Sequence, residues 1–295
     1  MTAQLIDGKA FAASVRTRVQ DATATLKKRH GLAVGLTVVL VGNDPASEIY
    51  VRLKVNDAKE VGIESRDVKL PATATENEVL EVVRKLNQDP SVHGVLVQFP
   101  VPSQIRQEAI LDTLSPEKDV DGLTTLSAGR LVAGRSGLVP CTPQGCLMLI
   151  KSVRQKLDGL NAVVIGRSLL VGKPMAQLLL QENCTVTTAH SKTQDLQAVA
   201  RAADILVAAV GRAQMVKASW VKPGSIVIDV GMNRVDLPGG KSKLLGDVDY
   251  NEVMPHAGAI TPVPGGVGPM TRACLLRNTV LAACALNGIV PPAEL

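Results

Sequence analysis

The sequence has 295 residues, of which 46% are hydrophobic and 20% charged, with a formal net charge of +5; this balance excludes a disordered chain, and the length predicts two domains. No apolar run approaches the ~18 residues of a membrane span, and the N-terminal stretch lacks a secretory apolar core and a small-residue cleavage site, so a cytoplasmic protein with no membrane partner is expected. Five cysteines without scaffold or CxxC spacing fit a reducing compartment and argue against a metal site, while scattered basic residues without interleaved aromatics argue against nucleic acid.

With two Tyr, two Phe and one Trp, the cores must be built from Val, Leu, Ile and Ala, which suits buried parallel strands. In chain order the pattern predicts a helix over 8–29, a strand at "GLTVVLVG" (35–42), helices over 45–61 and 75–88, and a strand at "HGVLVQF" (93–99). A Gly-, Ser- and Thr-rich stretch at 115–145 marks a boundary, after which the alternation starts afresh. A helix over 143–156 leads to strands at "LNAVVIG" (160–166), "CTVTTA" (184–189), "DILVAAVG" (204–211) and "GSIVIDVG" (224–231). Helices over 172–182 and 195–202 lie between them, and a last helix over roughly 270–288 is expected to pack back on the first domain. Strands alternating with helices from end to end predict an α/β fold of two domains.

The helix over 45–61 starts with Asp44 as N-cap and Pro45 in its first turn. Advancing about 100° per residue gathers Glu48, Arg52, Asn56 and Lys59 on a wet side and turns Tyr50 and Lys54 away from it. An inward lysine needs a partner or must lose its charge. Three readings stand: an ion pair with Asp57, a snorkelling stem, or a cleft in which Tyr50 offers a ring and Lys54 a base of depressed pKa. Gln98, at the carboxyl end of its strand, would face such a cleft. Asp119 and Asp121 in "PEKDVDG" read either as turn acids or as cleft residues. The stretch "ITPVPGGVGPMT" (260–271) reads as a rigid loop or as close backbone approach to a flat ligand.

The stretch "VVIGRSLLVGKPMAQLL" is a strand, a glycine turn and a helix, an order that offers backbone N–H groups to a pyrophosphate. Its spacing is not GxGxxG: Arg167 and Ser168 follow Gly166, and the next glycine is Gly172. The following strand ends in "TTAHSKT", where His190, Ser191 and Lys192 stand in place of the acid that would bind a ribose 2′-hydroxyl. With Arg167 nearby, this end suits a 2′-phosphate, so NADP is expected over NAD.

The stretches "DPASEIYVRLK", "HGVLVQFPVP", "KDVDG", "PCTPQG", "GRSLLVGKPMAQLL", "HSKT", "GDVDY" and "ITPVPGGVGPMT" together resemble, in family order and over nearly the whole chain, the bifunctional methylenetetrahydrofolate dehydrogenase/cyclohydrolase family. The resemblance implies an N-terminal α/β folate domain (1–121 plus 270–295), a Rossmann-like NADP domain (122–269), a cleft between them and a homodimer. It implies tetrahydrofolate derivatives as substrates, with Lys54 as the cyclohydrolase base or proton-transfer residue and Gln98 in support. Tyr50 would stack along the folate, Asp121 would hold the pterin, and Val97, Phe99 and the segment Pro264, Gly265, Gly266, Val267 and Gly268 would line the site. Gly166, Arg167, Ser168, Ser191 and Met232 would meet NADP. The chain departs from the family's usual pattern at Leu169, Phe99, Arg272, Arg277 and Asp57, the last commonly a small residue. Two rival functions differ in what they need. A 2-hydroxyacid dehydrogenase needs a histidine in the cleft, where none of the four is expected; a non-catalytic folate- or nucleotide-binding protein would have no use for Lys54.

Overall fold

The computed structural model describes residues 3–236 and 242–295. The chain divides into two compact units: an outer one of Ala13–Cys141 with Arg272–Leu295, and an inner one of Thr142–Thr271 with the residues up to Ala12. The elements begin with β1 (Gln4–Leu5), α1 (Gly8–His30), β2 (Gly35–Val41), α2 (Pro45–Glu60), β3 (Glu64–Leu70), α3 (Glu76–Gln88) and β4 (Gly94–Val97). They continue with α4 (Gln107–Thr113), α5 (Thr125–Val132), α6 (Cys141–Val153), β5 (Asn161–Ile165), α7 (Gly172–Gln181), β6 (Thr185–Ala189) and α8 (Leu196–Arg201). The chain closes with β7 (Ile205–Ala208), β8 (Ile226–Asp229), β9 (Asn233–Asp236), β10 (Ser242–Leu245), α9 (Tyr250–Val253), β11 (Ala259–Ile260) and α10 (Val267–Leu286).

In the outer unit a parallel sheet has the order β3-β2-β4. Every residue of β2 and β4 is buried, as expected of apolar runs covered on both faces. Val39, Val41, Val95 and Val97 of these strands pack with Val79 and Val83 of α3 and Ile110 of α4. The starts of α2 and α3 are closed by side-chain caps. The Asp44 carboxylate accepts from the Ser47 N–H at the start of α2, and Thr75 and Glu78 form a reciprocal capping box on α3. Strand β3, "ESRDVKL", was not expected. It is an edge strand with alternating exposure and charged residues, so it carries no apolar run to announce it.

In the inner unit six strands form a wholly parallel sheet in the order β1-β11-β8-β7-β5-β6. Ile165, Leu206, Ala208, Val227 and Ile260 meet in its core. The two-residue strands β1 and β11 are too short to show periodicity, and the antiparallel pair β9–β10 is mostly polar. The last helix begins at Val267, about three residues before its expected start, with Pro269 inside its first turn. Its greater part, from Arg272 onward, belongs to the outer unit.

Both sheets reverse their strand order once. In the outer unit β3 lies on one side of β2 and β4 on the other; in the inner unit β6 and β7 flank β5 in the same way. Open α/β sheets bind ligands beyond the carboxyl ends of strands at such reversals. Among the described residues no helix is long and apolar enough to cross a membrane.

Candidate active site

Gln98 is the first residue beyond β4, and its N–H still donates to the Val39 carbonyl of β2 (2.8 Å). Its side-chain Nε2 donates to the Phe99 carbonyl (2.7 Å), which leaves Oε1 turned to accept from Lys54 Nζ (3.0 Å). A carbonyl accepts only from the amide nitrogen, so this contact fixes which way round the Gln98 amide sits. The lysine comes from the middle of α2, a helix seated by buried Val51, Val55 and Ala58.

The sequence mapping of α2 is corrected in one respect. Tyr50 is 39% exposed, with Ile49 and Leu53 beside it at 49% and 38%, so the strip carrying Tyr50 is an open apolar face and not part of the core. Apolar side chains on three neighbouring positions look the same to a helical projection whether protein or ligand is to cover them. Among the described residues the Tyr50 side chain makes no hydrogen bond to the Lys54 side chain, whose Nζ goes to Gln98 instead.

The ion pair of Lys54 with Asp57 does not form. Asp57 is buried and pairs with Arg272 of α10 (2.9 Å) and, at longer range, with Arg16 of α1 (3.9 Å). Burial pushes its carboxyl up, against the pull of Arg272 and Arg16. Two departures from the family's usual pattern, Asp57 and Arg272, thus account for each other. Arg277 donates to the main-chain oxygen of Leu295 (2.8 Å).

Within "KDVDG" three charged residues have three different surroundings. Buried Lys118 donates to the Leu86 and Asp89 carbonyls (3.0 and 2.7 Å), completing the C-terminal end of α3, and burial pushes its ammonium pKa down. Buried Asp119 is the turn acid: it accepts from the N–H groups of Leu123 (3.1 Å) and Thr124 (2.7 Å) and from the Ser127 hydroxyl (2.8 Å). Asp121 has no backbone donor among the described residues. Burial pushes its carboxyl up, the Lys54 ammonium pulls it down, and Asp119 pushes it up again. Lys54, hydrogen-bonded to Gln98, and Asp121 are therefore electrostatic neighbours. Val97 packs into the core and Phe99 lies partly against it, so Val97 has only its backbone to offer a ligand.

His93 stands inside "HGVLVQFPVP", but it is buried and its Nδ1 accepts from the Gly35 N–H (3.0 Å). Burial lowers its pKa further. It is a neutral core histidine, not an acid–base group.

In the inner unit Gly166 follows β5 with φ +123°, and a Cβ there would run into the Ala209 carbonyl. A Cβ on Gly172, at the start of α7, would run into the Gly166 carbonyl. Both glycines are required by close backbone approach, which leaves an open βα turn. The Ser168 hydroxyl accepts from the N–H groups of Val171 (3.2 Å) and Gly172 (3.4 Å) at the helix N-terminus. Arg167, Ser168, Ser191 and Lys192 are exposed, and the stretch His190–Thr193 directly after β6 carries no acid. Backbone N–H groups, a hydroxyl and two cations without a ribose-binding carboxylate fit a dinucleotide with a 2′-phosphate.

Met232, 45% exposed, lies close to Gly268: a Cβ added to that glycine would be 3.5 Å from its Sδ. Val267 is buried, whereas Pro264 is exposed and Gly265 has φ +106°. Two acids that sequence reasoning did not assign support the loops beside Met232. Asp247, in "GDVDY", is fully buried and accepts from the N–H groups of Val210 (2.6 Å), Gly211 (3.0 Å) and Arg212 (2.8 Å) and from Asn233 Nδ2 (2.9 Å). Asp229, which ends β8, accepts from Gly231 (2.9 Å), Asp247 (2.8 Å) and Val248 (2.9 Å), although burial pushes its carboxyl up to about 7. An acid that ends an apolar strand was the available signal for Asp229, and the GDVD stretch for Asp247.

Residues 6–121 match the family described as tetrahydrofolate dehydrogenase/cyclohydrolase, catalytic domain, and residues 140–287 match its NAD(P)-binding domain. The bifunctional protein FolD of Parvibaculum lavamentivorans is 59% identical over 297 residues, covering 100% of each chain. The crystal structure of the bifunctional enzyme FolD, methylenetetrahydrofolate dehydrogenase/cyclohydrolase, from Campylobacter jejuni is similar with a TM-score of 0.92 at 44% identity, covering 96% of this chain and 99% of that one. The structure of Trypanosoma brucei FolD complexed with NADP cofactor and inhibitor is similar at 36% identity with a TM-score of 0.91, covering 97% and 98%.

Proposed function

Because the chain belongs to the tetrahydrofolate dehydrogenase/cyclohydrolase family, we propose specific roles for its residues in two consecutive one-carbon reactions. The enzyme oxidises 5,10-methylenetetrahydrofolate to 5,10-methenyltetrahydrofolate with NADP and hydrolyses the product to 10-formyltetrahydrofolate. The chemistry NADP supplies is acceptance of a hydride from the one-carbon bridge. Gly166 and Ser168 would hold its pyrophosphate, Arg167, Ser191 and Lys192 its 2′-phosphate, and Met232 would lie against it. The outer unit is the folate-binding domain and the inner unit the NADP-binding one.

The observation that carries these roles is the Lys54–Gln98 hydrogen bond at the carboxyl end of β4. Loss of a hydride leaves a methenyl cation, and that step needs alignment of donor and acceptor but no base. Hydration differs. Water loses a proton as its oxygen bonds to the methenyl carbon; then one carbon–nitrogen bond breaks and the leaving nitrogen takes up a proton. Lys54 takes the first proton and returns one to the nitrogen; the remaining hydroxyl proton leaves with solvent as the formyl group forms. An amine keeps N–H groups in both protonation states, so it can donate to Gln98 Oε1 throughout the cycle. Gln98 therefore holds Lys54 in place without fixing its charge.

Asp121 accepts from the amino and ring N–H groups of the pterin, and Tyr50 supplies the ring against which the folate stacks. The open strip of Ile49, Tyr50 and Leu53 supports that role, since it is apolar surface beside a polar cluster. The enzyme works as a cytoplasmic homodimer and binds no nucleic acid. Purified protein given methylenetetrahydrofolate and NADP should produce NADPH absorbance, and added methenyltetrahydrofolate should decay faster than in buffer. Folate and NADP binding without either signal would leave a binding protein in place of an enzyme.

A further inference from the structure

Asn278 lies on α10 and is fully buried. Its Nδ2 donates to two carbonyls from separate segments, Val120 (2.9 Å) and Val139 (2.8 Å). Its Oδ1 is buried with no hydrogen-bond partner. Rotating the amide would not help, because beside a long contact to Cys141 Sγ (3.6 Å) Nδ2 meets two carbonyl oxygens, which only the NH₂ end can serve. A leucine would fill similar volume and remove the orphaned Oδ1, but it would also take the donor from both carbonyls, so the cost of burying this amide is set against what its NH₂ group holds.

That group holds the turn that carries Asp121. The Val120 carbonyl belongs to the peptide plane that leads into Asp121, so fixing that oxygen fixes the N and Cα of the acid. The Cys141 thiol donates to the same oxygen (3.2 Å). Gly122 has φ +69°, and a Cβ there would stand 2.5 Å from Pro140 N, so the turn also lies directly on the 139–140 segment. Asp119 anchors the other side through Leu123, Thr124 and Ser127. The carboxyl of Asp121 is thus left out of the turn's own hydrogen bonds while its backbone is held.

We propose that Asn278 is a positioning residue for folate recognition, which ties the 120–121 peptide to the 139–140 segment and so aims the Asp121 carboxylate. The inference rests on the reading that Asp121 orients the pterin. It never touches substrate and acts only through Asp121, which separates it from a residue that merely stabilises the core.

The test is a double-mutant cycle on the full-length enzyme. Asn278→Leu, Asp121→Asn and the double variant are assayed for KM of methylenetetrahydrofolate and of NADP. Asn278→Leu should raise the folate KM about tenfold, the usual size of a lost buried hydrogen-bond pair, with the NADP KM unchanged. In the Asp121→Asn background the same change should add little, because its route to the substrate is already cut. A full tenfold loss in that background, an equal loss for NADP, or an unchanged folate KM would each overturn the inference. Should Asn278→Leu fail to fold, Asn278→Ser, which keeps one donor, runs the same cycle with a smaller expected shift. The two readings fail differently. Normal folate affinity in Asp121→Asn removes the role of Asp121 and this one with it; a defect there beside a normal Asn278→Leu removes Asn278 alone.

Discussion

The two units place their ligand ends by one rule, beyond a strand where the sheet order reverses, but furnish them with different materials. The inner unit uses backbone: two glycines whose missing side chains open a turn, and N–H groups gathered at a helix start. The outer unit uses side chains: a lysine, an amide and a carboxylate from three separate stretches of chain. A backbone site is vulnerable to added atoms, whereas a side-chain site is vulnerable to lost ones. That difference predicts how each will fail.

The largest effect expected in the inner unit comes from one added carbon. Gly166→Ala combines an unfavourable positive φ with overlap on the Ala209 carbonyl. NADP affinity should fall about 10²-fold, the equivalent of roughly 3 kcal/mol of strain, while cyclohydrolase activity persists. Calorimetric titration with NADP checks it; unchanged binding would mean that the turn can relax and that close approach is not what the glycine provides.

A smaller effect, on stability and not on binding, is expected from the outer unit's ion pair. Removing Asp57 strands Arg272 in a site where its side chain is only 24% exposed. Asp57→Ala should cost about 2 kcal/mol by urea denaturation, somewhat below the range for fully buried pairs because Arg272 keeps some water. Asp57→Ala combined with Arg272→Val should recover part of that loss. Strictly additive losses would show that the two departures from the family pattern do not compensate each other.

The smallest effect is a preference and not an activity. Arg167→Ala should raise the KM for NADP about tenfold and leave that for NAD nearly unchanged. Equal loss with both would move Arg167 from the 2′-phosphate to the pyrophosphate.

The same division of materials explains what was legible in the sequence. Backbone sites announce themselves locally: strand, glycine turn and helix are contiguous in "VVIGRSLLVGKPMAQLL", and the fold of the inner unit followed from that pattern. Lys54 and Gln98 could be singled out, one by its helical face and the other by its place at a strand end, but only the family resemblance joined them; spacing did not. Their 3.0 Å bond depends on β2 and β4 being neighbours. The mistaken Lys54–Asp57 alternative has the same origin, since i, i+3 spacing makes a local partner visible and hides Arg272, which arrives from α10. The edge strand β3 was missed because its alternation is of charge and exposure. Asp247 was missed because its acceptor role is owed mainly to a loop 35 to 37 residues earlier.

The central claim is that Lys54 moves protons in hydrolysis and contributes none to hydride transfer. Lys54→Gln roughly keeps the length and a donor toward Gln98 while removing the titrating amine. Each reaction is to be followed separately on the folded variant, NADPH formation for one and decay of methenyltetrahydrofolate for the other. Cyclohydrolase activity should fall about 10²-fold or more, the usual contribution of general acid–base catalysis, with much of the dehydrogenase activity retained. Near-normal hydrolysis by Lys54→Gln, or parallel loss of both activities, would contradict the account.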